Sequence, residues 1–150
     1  MYRVAGRTAA SAATAGTASF GFWNPHATVR VRLSEIHICA NGAPAAGASL
    51  ALRRATARGT ATSTVTPDID NDIQRAQAPT SGALLDVTYS AQPTLDASVL
   101  WQWTFAAVAG SAVILPVEIS VPPGTGLVAA NVGAIAFPIT DVTIVWREEF

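Results

Sequence analysis

Three groups of side chains in this sequence have types and spacings that can do chemistry. Glu35, His37 and Cys39 alternate along one segment, and a carboxylate, an imidazole and a thiol are the donors of a transition-metal site or the parts of a thiol nucleophile with its base. Spacing decides against the metal, because three alternate positions on one strand span about 13 Å and cannot all reach one tetrahedral ion. As a nucleophile, Cys39 needs a base from elsewhere, and the other histidine, His26, stands in the turn-like Asn24-Pro25-His26. The row reads as a mixed surface with a partly buried thiol.

Asp68-x-Asp70-x-Asp72 opens like a calcium loop, but Ile73 stands where that motif needs glycine and Pro79 where it needs a bidentate glutamate. The expectation is a solvated acidic loop without a tightly held ion. Trp101 and Trp103 could stack a sugar, yet Val99 and Phe105 share their parity, so the reading is core or subunit interface. No glycine-rich phosphate cradle and no Gly-x-Ser-x-Gly turn occurs, and the carboxylates are too sparse to nominate an acid/base pair. The sequence therefore nominates no catalytic, cofactor-binding or metal-binding residue, and the expectation is a protein that is not an enzyme.

The elements that carry these residues alternate with the period of a strand. Val29, Val31 and Leu33 point one way; Ile36 and Ile38 sit on the opposite parity, so one extra residue near Ser34-Glu35 is needed to keep a single buried face. A β-bulge is predicted there. Asn41-Gly42-Ala43-Pro44 is a turn, residues 48–53 and 60–66 are strands, and from Pro67 to Gly82 the reading is loop or one helical turn. Leu85, Val87 and Tyr89 begin the next strand, and Val99 to Phe105 another. Val113 to Val121 follows, with Pro116 marking an edge position or a bend. Leu127-Val128-Ala129-Ala130 and residues 140–147 are further strands, and Ala134-Ile135-Ala136-Phe137-Pro138-Ile139 reads as a strand apolar on both faces. Eight or nine strands without an amphipathic helix select a sandwich or barrel.

A chain of 150 residues fits one domain. Half of it is hydrophobic and only 13% is charged, about half the usual share, which leaves apolar surface for another subunit. A formal net charge of −1, with nine arginines and no lysine, supplies no basic face for nucleic acid or anionic lipid. No apolar run reaches membrane-spanning length, and the first residues lack the Leu-rich centre of a signal peptide. Residues 8–18 are small and aperiodic and read as an arm. The division is 1–27, arm and first short strand, and 28–150, the sandwich.

Pro116-Val117-Glu118-Ile119, Pro122-Pro123-Gly124-Thr125-Gly126-Leu127 and Val142-Thr143-Ile144-Val145-Trp146-Arg147-Glu148 resemble the ends of capsid decoration (cement) and head-fibre proteins of tailed bacteriophages. Arg32-Leu33-Ser34-Glu35-Ile36 and Ala48-Ser49-Leu50-Ala51-Leu52-Arg53-Arg54 are similar to the start of that group. The resemblance implies an all-β, antiparallel two-sheet sandwich of jelly-roll type that forms a homotrimer, binds the major capsid protein and braces the outside of the virion. Residues 68–77 have no place in that pattern. On this reading Thr8, Ser11, Thr14 and Thr17 are the candidate capsid contacts, and Trp101, Trp103, Phe105, Phe137 and Trp146 the core or subunit-interface candidates. An arm of this kind should be removable, residues 1–18 included, without loss of the fold. The alternative is a carbohydrate- or receptor-binding module of a phage fibre or tail, with Trp23 or Trp101 as the stacking residue.

Overall fold

A computed structural model of the chain describes residues 1–44, 47–69, 82–107, 110 and 112–149. They form strands β1 (Tyr2–Arg7), β2 (Ala18–Asn24), β3 (Arg30–Ala40), β4 (Ala48–Ala57), β5 (Thr60–Val65), β6 (Asp68–Ile69), β7 (Leu84–Ala91), β8 (Thr94–Phe105), β9 (Ala112–Val121), β10 (Thr125–Asn131) and β11 (Thr140–Glu149). Two antiparallel sheets, ordered β6-β1-β11-β3-β9 and β5-β7-β2-β10-β4-β8, pack face to face as a sandwich. The all-β, two-sheet reading of the sequence holds.

Alternation builds the core. Val31 and Leu33, then Ile36 and Ile38, are all buried to within 1%. The parity change between them is absorbed where the register slips between Leu33 and Glu35 against β9, and between Val145 and Trp146 against β11. The expected bulge is there, and the Ser34 hydroxyl donates to the Val145 carbonyl at 3.1 Å. β9 lies at a sheet edge with Pro116 exposed, as a proline without a ladder donor requires. Trp146 is fully buried, stacked on Tyr2 at 5.8 Å and met edge-on by Phe22 at 5.0 Å.

A second, smaller core lies on the outer face of the larger sheet. β4 runs into β5 through Arg58 and Gly59, and β7 into β8 through Gln92 and Pro93, so Ala57↔Thr94 and Thr60↔Ala91 continue one long two-stranded ribbon. One half pairs with β10 and the other with β2, which forces the ribbon to bend over both. Beneath the bend Ala18, Ala55, Val128 and Ala130 pack with Trp23, Tyr89 and Leu95. Gly59 holds a positive φ of 74° at the bend, and a Cβ there would lie 2.4 Å from the Ala91 carbonyl oxygen. Only glycine satisfies both.

Several sequence expectations are corrected. Residues 1–27 supply two strands of the sandwich and not one short one: β2 lies in the second sheet, and β1 sits inside the first sheet between β6 and β11, with Tyr2 and Val4 as core residues. Their alternation with exposed Arg3 and Ala5 is a strand pattern, so removing residues 1–18 would remove two core side chains and a ladder. Asp68 and Ile69 are not loop but pair with Arg3 and Tyr2, covering the open side of β1; Asp70, Asp72 and the rest of residues 70–81 lie outside the described residues. Residues 132–139 are a connection and not a strand, and only Phe137 of that run is fully buried. Pro138 interrupts any ladder there, because it has no amide hydrogen to give.

Candidate functional site

The titratable groups singled out above go to separate places. On the outer face of β3, His37 Nε2 lies 2.9 Å from Glu35 Oε2, with both side chains well exposed. Cys39 is half-buried two positions further on, across the ladder from Asp141. His26 belongs to the opposite end of the strands, where its Nε2 lies 3.1 Å from Glu148 Oε1 and accepts the Gly82 amide at 3.2 Å. The structure therefore does not bring His26 to Cys39. No group of three or more His, Cys, Asp and Glu side chains placed to hold a metal occurs among the described residues.

One charged cluster was not legible in the sequence. Asp86, on the outer face of β7, is completely buried, and Arg58 from the ribbon bend donates to both of its oxygens, from Nε at 2.7 Å and Nη2 at 2.5 Å. The Thr64 hydroxyl adds a third donor at 2.7 Å. The bond to Asp86 pushes the Arg58 guanidinium above its ordinary value. Burial, helped by the Asp86 charge, does the same to the nearby Tyr89 phenol. With the bidentate fork closed on the carboxylate, this group fastens the bend and offers no free acid or base.

The aromatic candidates divide. Phe105 and Phe137 meet edge-on at 4.9 Å in the main core, and Trp146 is fully enclosed. Trp103 packs against that core, its Nε1 buried without a hydrogen-bond partner among the described residues. Trp101 differs: it lies on β8, an edge strand, and is 48% exposed beside the similarly exposed Val99. Trp23 is partly buried against the second core.

The remaining candidates lie at one end of the sandwich. Thr8 is buried, its amide donating to the Thr140 carbonyl and its Oγ1 accepting the Thr140 amide at 3.1 Å. Ser11 Oγ accepts the Phe137 amide and the Asn131 side-chain amide, both at 2.9 Å. The Thr17 carbonyl accepts the Asn131 amide at 2.9 Å. Thr14, by contrast, is exposed and bonded only within its own turn through the main chain. Residues 8–17 are thus strapped to the β10–β11 connection, and what they present outward is Thr14 and the exposed methyls of Ala9, Ala10, Ala12, Ala13 and Ala15. Comparison of the chain with known protein families, with curated sequences and with solved structures gives no match.

Proposed function

We propose that this chain is a structural component of a phage particle, a decoration protein that binds the outer capsid surface through the major capsid protein and stabilises the shell, and that its sandwich is a jelly roll. The observation that carries the reading is the strand order. With β5, β6 and β7 set aside as an insertion, the other eight strands numbered in chain order make sheets 1-8-3-6 and 2-7-4-5. That order supports a jelly-roll winding, two intertwined Greek keys, the architecture that the resemblance at both ends of the sequence implies.

The physics suits a protein that works by contact area. A stiff double sheet supplies a rigid body, and multivalent attachment of a homotrimer multiplies individually weak contacts. The test is whether the chain travels with particles: in a gradient of intact virions from a phage that encodes it, the chain is expected in the virion band at a stoichiometry fixed to the major capsid protein. A virion band free of it overturns the assignment.

A second reading is favoured by Trp101. A half-exposed indole beside an exposed valine on an edge strand is a surface on which a sugar ring can stack. Here the fluorescence of Trp101 should shift on adding oligosaccharide and the shift should vanish in Trp101→Phe; an unchanged spectrum across a sugar panel removes this alternative.

A further inference from the structure

We propose that the end of the sandwich carrying residues 8–17 is a self-association face, the surface through which copies of this chain meet one another. Stretches from four connections meet there: residues 8–17, 41–44 with 47, 106–107 with 110, and 132–139. Hydrogen bonds tie them into one surface. The Ser11 amide donates to the Phe137 carbonyl, Asn41 to Ile139, Gly110 to Ala40, Gly16 to Asn131 and Val132 to Ser49, all within 3.0 Å.

None of these connections contains an Asp, Glu, Lys, Arg or His, in a molecule whose other end carries Arg32, Arg147, Glu118 and Glu149 in a mesh of ion pairs. The nearest charges, Arg7 and Asp141, are spent on each other through a bidentate pair at 2.6 and 3.0 Å. On this end Val132 and Ile139 are 38% and 44% exposed, and among the described residues nearly all the other exposed positions are Ala, Gly or Thr. Depletion of charge distinguishes the buried centre of a protein interface from ordinary surface.

The chemistry selects the occupant. A charged partner surface would have to give up water against groups that cannot pair it. Nucleic acid and anionic lipid need cations that this end lacks. A second copy offers a face as uncharged as the first, and at a net charge of −1 the copies barely repel. Small side chains surrender little rotamer entropy on contact and let backbones approach closely. Six strands at ~4.8 Å spacing in a sandwich ~20–25 Å thick present an end of ~600–700 Å², near the ~800 Å² per partner of a standard interface.

Sedimentation velocity on the full chain at tens of micromolar tests this independently of any virion, so the decoration reading and this one can fail separately. The expected result is a closed oligomer, unchanged between 0.1 and 1 M NaCl, that becomes monomeric in Ala134→Glu and in Ala12→Glu, with near-ultraviolet circular dichroism intact. Thr28→Glu, exposed at the opposite end, should leave the oligomer unchanged. A monomeric wild-type chain overturns the proposal, as does an oligomer that salt dissociates, that either variant of the uncharged end leaves intact, or that Thr28→Glu disrupts.

Discussion

Asp86 is a fully buried carboxylate whose cost is offset by three donors from two side chains. Removing the guanidinium strands the charge, a change that costs roughly 3–5 kcal/mol when the pair is wholly buried. Arg58 is about a third exposed, so water can reach part of the gap, and Arg58→Ala is expected to destabilise by about 2–4 kcal/mol in urea unfolding. A loss below about 0.5 kcal/mol would mean the bend holds without its fastening. Tyr89 gives a pH-dependent counterpart. Its folded phenol is raised above the ordinary 10.0 by burial first and the Asp86 charge second. Unfolding therefore releases a proton above pH 10, so this contribution to stability is intact below that value and declines as pH rises beyond it. Tyr89→Phe should flatten the alkaline arm of the melting-temperature profile. An arm as steep as wild type would place the titration elsewhere, Tyr2 being the other raised tyrosine.

At the scale of elements, the bulge in β3 ties a one-residue detail to the whole core. Because strand side chains alternate, deleting Ser34 would turn either Val31 and Leu33 or Ile36 and Ile38 outward, and all four are buried. The deletion should abolish cooperative folding. Ser34→Ala keeps the register and gives up only the bond to Val145, about 1 kcal/mol. A deletion variant with a sharp melting transition would show that the register slips without penalty. This bulge was legible in the sequence because it is local, a parity change within ten residues. Pro116 announced its edge position for the same reason, having no donor to give the ladder. The Arg58–Asp86 fork was not legible, since its partners meet only after the ribbon bends. Nor was the exposure of Trp101: four alternating large residues from Val99 to Phe105 look alike in sequence, and within the edge strand β8 only Phe105 is fully covered, by its contact with Phe137 from the distant β10–β11 connection. The uncharged end was hidden too, because its four connections are scattered along the chain and come together only in the fold.

At the scale of the molecule, the first strand pairs with the last. β1 matches β11 residue for residue from Tyr2↔Trp146 to Arg7↔Asp141, so the first sheet is complete only when both ends of the chain are in place. Contacts of this sequence separation make folding slow, since loop closure precedes any reward. They also make the N-terminus structural. Removing residues 1–7 uncovers one face of Trp146, deletes the buried Tyr2 and Val4 side chains at about 1.5–3 kcal/mol each, and leaves six β11 residues without partners on that side. The sum, about 5 kcal/mol or more with the lost ladder, rivals the 5–15 kcal/mol that hold a typical domain together. A chain of residues 8–150 is therefore expected to lose its cooperative melting transition and the near-ultraviolet dichroism of Trp146. Millimolar peptide of sequence Met1 to Arg7, supplied in trans, should restore part of both by adding the missing strand to β11. A truncated chain that melts within about 1 kcal/mol of the full one would show β1 to be an accessory, and would return the N-terminal segment to the role of a dispensable arm.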